Sequence, residues 1–136
     1  MRIVQSSTIH SPAPNTLRGL HYQREPHAET KLVRCTRGAI FLVMVDLRPD
    51  SVTRNDWLGA ELSAENGRLA YVPTGFAQGY QTLDGDSEVH YSMSHPYVPE
   101  SARGVRWDDP ALGIEWPPAT HRMISGRDRA WPYLGG

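Results

Sequence analysis

Apolar residues along this chain come in short runs, too short for most helices, and glycine or proline ends nearly every one of them. The runs Ile3–Thr8, Leu17–Gln23, Lys31–Arg37, Ala39–Arg48, Trp57–Leu62, Arg68–Val72, Ala77–Leu83 and Glu88–Met93 therefore read as strands. Between them, Ser63-Ala-Glu-Asn-Gly67 and Asp84-Gly-Asp86 are turn signals, and Pro73-Thr-Gly75 separates one strand from the next. Ala39–Leu47 lacks polar alternation, as expected of a strand covered on both faces, either within a sandwich or at a subunit interface. From Pro99 onward the chain is rich in loop formers, with Trp107, Trp116 and Trp131 available to pack on the β body. Closely spaced short strands predict an all-β barrel or jelly roll.

Composition narrows the picture. The 136 residues are expected to form a single domain, 1–136, able to bury about 68% of the unfolded chain's surface. A net charge of -1 carries no footprint for nucleic acid or an anionic membrane. No apolar run approaches the ~18 residues of a membrane span, and the N-terminus has no signal-peptide core. The single cysteine, Cys35, has no partner for an internal disulfide and reads as a small buried hydrophobe, so a cytoplasmic location is expected.

Three segments carry candidate chemistry. Leu17-Arg-Gly-Leu-His-Tyr-Gln23 sets a cation, Arg18, and a potential base, His21, in one strand. Gly67-Arg-Leu-Ala-Tyr-Val-Pro-Thr-Gly-Phe-Ala-Gln78 and Tyr91 follow, and Asp128 offers a carboxylate to orient and charge-balance the histidine. Together they suggest acid–base chemistry on an anionic substrate. Taken singly, each residue has a plainer reading: a packed histidine, solvated Arg18 and Lys31, a cross-strand Tyr91, an Asp128 that opens a turn. His10, His27, His90, His95 and His121 have no comparable setting.

The spacing Gly67-x5-Pro73-x-Gly75-x2-Gln78 resembles the second signature of cupin β-barrels, whose last position is usually a metal-binding histidine. Leu17–Gln23, Lys31-Leu-Val-Arg34, Gly75-Phe-Ala-Gln-Gly79, Glu88-Val-His-Tyr91, Tyr97-x-Pro99-Glu100, Trp107-Asp-Asp-Pro110 and Ile114-Glu-Trp-Pro117 together resemble the dTDP-4-dehydrorhamnose 3,5-epimerase family, in order and spacing, from about Val4 to about Asp128. The resemblance implies a cupin-type jelly roll, a substrate class of nucleotide-linked 4-keto-6-deoxy sugars, and a homodimer. It also implies His21 as base, Asp128 as its orienting acid, Lys31 beside the enolate oxygen and Tyr91 as proton donor on the other face. Arg18, Gln23, Gln78 and Tyr97 are the implied substrate-binding residues, and no metal or other cofactor is expected.

The chemistry is coherent on its own terms. Inverting a carbon beside a ketone requires removing an acidic proton, holding the enolate and returning a proton to the opposite face. A protein cation by the oxygen removes the need for a metal, and Gln78, an amide, is a poor metal ligand. The chain departs from the family at Gln78, where histidine is usual, at Ser92, where lysine often follows the tyrosine, and at Leu42, where aspartate is frequent. The family's leading segment, with an arginine and an aromatic that serve nucleotide binding across the dimer, has no counterpart before Met1. Three readings follow: an epimerase at C3, C5 or both; a non-catalytic sugar- or nucleotide-sugar-binding cupin; and a metal cupin, against which His21-x-Gln23 and Gln78 argue.

Overall fold

The structure is a computed structural model, described for residues 1–135. The strands are β1 (Gln5–Ser11), β2 (Thr16–Gln23), β3 (Lys31–Arg37), β4 (Ala39–Asp46), β5 (Trp57–Ser63), β6 (Leu69–Val72), β7 (Phe76–Thr82) and β8 (Ser87–Met93). Beyond these come β9 (Ala102–Gly104), β10 (Met123–Ile124) and a short helix α1 (Gly126–Arg129). A four-stranded sheet runs β1-β8-β3-β6, and a larger one runs β10-β2-β7-β4-β5 with β9 also paired to β2. All pairings are antiparallel except β10 with β2. The result is a jelly-roll β-sandwich, as expected.

The eight expected strands are all present, with shifted ends. β1 starts at Gln5 and runs to Ser11 because its ladder with β8 extends from Gln5 opposite Met93 to Ser11 opposite Ser87. β4 stops at Asp46, whose carboxylate accepts the Arg48 backbone N–H at 3.0 Å, and the Thr53 hydroxyl at 2.6 Å, so the chain turns there. The stretch after Pro99 is not loop alone, since β9, β10 and α1 lie within it.

Two cores result. Val33, Cys35 and Val89 of the small sheet meet Ile40, Leu42 and Tyr80 of the large one inside the sandwich. On the outer side of the large sheet, Leu20, Val43, Val45 and Ala77 pack against Val105 and Leu112, with Ile114, Trp116 and Leu134 alongside. The unalternating β4 is thus covered on its second face by its own chain's C-terminal segment. That strand by itself asks for no partner subunit.

The tightest backbone approach joins β2 to β7. Gly19 has φ +122°, a conformation open mainly to glycine, and a Cβ there would lie 2.7 Å from the Gly79 Cα. A Cβ at Gly79 would meet the Arg18 carbonyl oxygen at 2.6 Å. Neither obstacle is the flexible end of a side chain, so relief requires the strands to separate. Gly79→Ala is expected to cost about 1–3 kcal/mol, read as a lower urea midpoint at unchanged m. Gly126→Ala, where no atom lies within 4 Å, is the neutral control.

Candidate active site

An irregularity in β2 decides which side chains meet. Along a regular strand, residues three apart stand on opposite faces, yet Arg18 and His21 line one cavity of about 420 Å³. The β2–β7 register slips between them. The extra residue sends Leu20 into the outer core and returns His21 to the interior.

Asp128 reaches His21 from α1, where Ser125 caps the helix and its Oγ accepts the Asp128 N–H at 3.1 Å. His21 Nε2 lies 2.7 Å from Asp128 Oδ1. The same oxygen accepts the Trp131 indole N–H at 2.9 Å, while Oδ2 accepts the Gly19 backbone N–H at 3.1 Å. Burial pushes the Asp128 carboxyl up, but the His21 bond and charge, joined by Gly19 and Trp131, leave it below its ordinary value. An ionised carboxylate only accepts, so His21 Nε2 must carry the proton and Nδ1 the lone pair. With its folded value depressed, Asp128 contributes stability above the ordinary carboxylate range that is lost as pH falls through the folded value.

The facing sheet supplies the counterparts. Lys31 on β3 and Tyr91 on β8 both line the cavity, and the Lys31 Nζ stands 5.4 Å from the Tyr91 ring centroid. Lys31 is almost buried, and its Nζ lies 3.5 Å from the Glu29 carboxylate. Burial lowers the Lys31 ammonium from 10.5, and Glu29 opposes that shift through charge and hydrogen bonding. Arg18 donates its Nε to Ser11 Oγ at 3.1 Å. The His21 imidazole and the Tyr91 phenol therefore stand on opposite sheets across one space.

All eight expected site residues line this cavity, but they do not all offer it polar atoms. Gln23 is turned to the protein: its Nε2 donates to the His27 and Pro96 carbonyls at 2.8 and 3.3 Å, and its Oε1 accepts the Val98 N–H at 2.6 Å. It holds the loop before Tyr97 instead of binding through its amide. Tyr97 is 45% exposed at the mouth, and its hydroxyl accepts from Arg127 at 3.4 Å. Gln78 faces His21 across the β2–β7 ladder. Among the described residues no group of three or more His, Cys, Asp or Glu side chains converges. Cys35 is buried beside the core, and burial pushes its thiol up. His10 pairs with Asp86 at 3.0 Å, and His27 with Ser101 at 2.6 Å, away from the dyad.

Of the residues at the cavity or dyad that escaped the sequence reading, three bear directly on the groups above. Glu29 stands two residues before Lys31, a spacing that shares one face of an extended segment. Tyr80 stands likewise two after Gln78; among the described residues its buried hydroxyl has no hydrogen-bond partner, and burial pushes it up to about 12. Trp131 is three residues after Asp128, within reach across one helical turn.

With this barrel and this interior, the molecule takes its place among the cupin-type isomerases. A family model described as dTDP-4-dehydrorhamnose 3,5-epimerase matches residues 1–135, and the chain belongs to that family. It is 49% identical over 132 residues to the dTDP-4-dehydrorhamnose 3,5-epimerase of Sinorhizobium fredii, covering 97% of this chain and 68% of that protein. A Bacillus anthracis dTDP-4-dehydrorhamnose 3,5-epimerase solved with TDP and PPi bound superposes with a TM-score of 0.95 at 43% identity, over 98% of this chain and 75% of the other. A Legionella pneumophila dTDP-6-deoxy-D-glucose-3,5-epimerase, solved with dTDP-4-keto-L-rhamnose, gives 0.94 at 37% identity, over 98% and 70%. The chain spans about two thirds of the length of the curated relatives it matches, between 62% and 68% for the first three.

The lowered Lys31 ammonium has a measurable consequence. Any step that needs its charge is expected to fail on the alkaline side below 10.5, the ordinary lysine value. Glu29→Gln removes the group that keeps Lys31 protonated, so the alkaline limb of kcat/KM moves to still lower pH. An unchanged limb in Glu29→Gln would mean that Lys31 does not set it.

Proposed function

We propose that this protein epimerises a dTDP-linked 4-keto-6-deoxy sugar at C3, C5 or both, by metal-independent removal and return of a proton. The observation that carries the reading is the pairing of His21 with Asp128 on one sheet, across a shared cavity from Lys31 and Tyr91 on the other. His21 Nδ1 takes the proton beside the ketone, and Asp128 balances the imidazolium without being protonated itself. Lys31 stabilises the enolate oxygen as charge develops there. Tyr91 returns a proton from the opposite face, and solvent resets both groups. Arg18, with its terminal nitrogens beyond the Ser11 bond, suits the substrate's phosphate or carbonyl oxygens. The donor set fits this chemistry better than a metal's, because Gln78 brings an amide where a cupin ligand would stand.

A homodimer and a cytoplasmic location complete the reading. The lone buried Cys35 suits a reducing compartment, and sedimentation at micromolar concentration tests the dimer.

The decisive assay follows deuterium from solvent into a dTDP-4-keto-6-deoxyhexose, carbon by carbon. His21→Ala is expected to abolish exchange, whereas Tyr91→Phe keeps some exchange and loses inversion. Asp128→Asn lowers the rate with little change in KM, and Lys31→Ala slows exchange and inversion together. A parent protein that binds the sugar nucleotide without exchanging any position would be a binding cupin, not an epimerase.

A further inference from the structure

The third donor on the dyad carboxylate has no part in the proton transfers above, yet it occupies the same oxygen as the base. Trp131 Nε1 lies 2.9 Å from Asp128 Oδ1, and His21 Nε2 lies 2.7 Å from it. The indole also stands edge-on to the His21 ring, with centroids 6.0 Å apart and planes at 74°. Its seat is shaped for it. Gly104 faces His21 in the β2–β9 ladder, and a Cβ there would fall 2.3 Å from Trp131 Cε2 and 2.6 Å from Nε1. The Arg127 guanidinium lies 5.2 Å from the indole centroid. The missing Cβ at Gly104, the Arg127 cation and the hydrogen bond to Asp128 hold this ring in one orientation.

We infer that Trp131 is a positioning residue that sets the pH range over which His21 acts as a base. The inference rests on the epimerase reading for its catalytic consequence, but not for its physical basis. An N–H aimed at Asp128 Oδ1 draws negative charge away from the bond to His21, so the carboxylate supports an imidazolium less strongly. Other ionisable or charged groups around the dyad are Arg18 and Tyr22 on β2, Arg103 on β9 and Tyr80 on β7. Lys31 with Glu29, Tyr91 on β8, Arg127 and Arg129 on α1, and His121 and Arg122 just before β10 complete the surroundings. Among the described residues, the hydrogen bonds to the Asp128 carboxylate come from His21, Trp131 and the Gly19 N–H.

Trp131→Phe keeps a flat ring between Gly104 and Arg127 and deletes the donor. In the ligand-free protein, the His21 ring resonances followed by NMR are expected to titrate about half a pH unit or more higher than in the parent. The acidic limb of kcat/KM moves up by the same amount, with kcat on the plateau little changed. A folded Trp131→Phe with the parent's His21 midpoint overturns the inference. If that variant does not fold, Gly104→Ala gives the same reading, because its Cβ displaces the indole from Asp128; an unshifted midpoint there also overturns it. The midpoint needs no turnover. A parent that fails to exchange deuterium would refute the epimerase reading while leaving this comparison intact.

Discussion

A single buried anion holds the working parts of this protein in place. The Asp128 carboxylate is 5% exposed, and removing a charge from water is costly unless donors replace the lost hydration. Three donors do so here, from two distant parts of the chain: the His21 imidazole and the Gly19 N–H in β2, and the Trp131 indole beyond α1. The Gly19 bond ties the carboxylate to the very residue at which β2 leaves regular register. The irregularity that turns His21 inward and the group that orients it are thus fixed by one interaction. Loss of the carboxylate would free the base, the strand break and the C-terminal segment together.

The rest of the site follows from how two sheets enclose a space. The large sheet contributes His21 and Arg18, the small sheet contributes Lys31 and Tyr91, and Asp128 reaches in from α1, so the imidazole and the phenol face one space from opposite sides. Burial makes the Lys31 ammonium easier to deprotonate, and Glu29 restores part of its charge.

Much of this was legible from residue order. Short apolar runs closed by glycine and proline marked all eight principal strands, since no longer periodicity competes with them. The strand pairs and the dyad partners lie far apart in sequence; residue chemistry offered Asp128 as a carboxylate for His21, 107 positions away, and the family resemblance gave the pair its roles. What stayed hidden has physical causes. The register slip at Gly19 depends on the approach of Gly79 from another strand, so no local pattern announces it. Gln23 carries the polarity of a ligand-binding residue, but its amide is engaged by three backbone groups, the nearby His27 carbonyl and Pro96 and Val98 of a distant loop. The uniform apolarity of β4 was equally compatible with a second subunit and with a covering segment, and its own C-terminal residues Val105, Leu112 and Trp116 supply the cover. Trp131 escaped notice because an indole near the end of a chain usually means packing, and its N–H has significance only once Asp128 is in place.

The central claim is spatial: base and phenol address opposite faces of one sugar ring. A crystal structure of the protein with a dTDP-4-keto-6-deoxy sugar tests it most directly. The account predicts the hexose inside the cavity, with His21 Nδ1 facing C3 or C5 from one side, the Tyr91 hydroxyl on the other, and the ketone oxygen toward Lys31. A sugar seated outside the cavity, or one with His21 and Tyr91 on the same face, would contradict it.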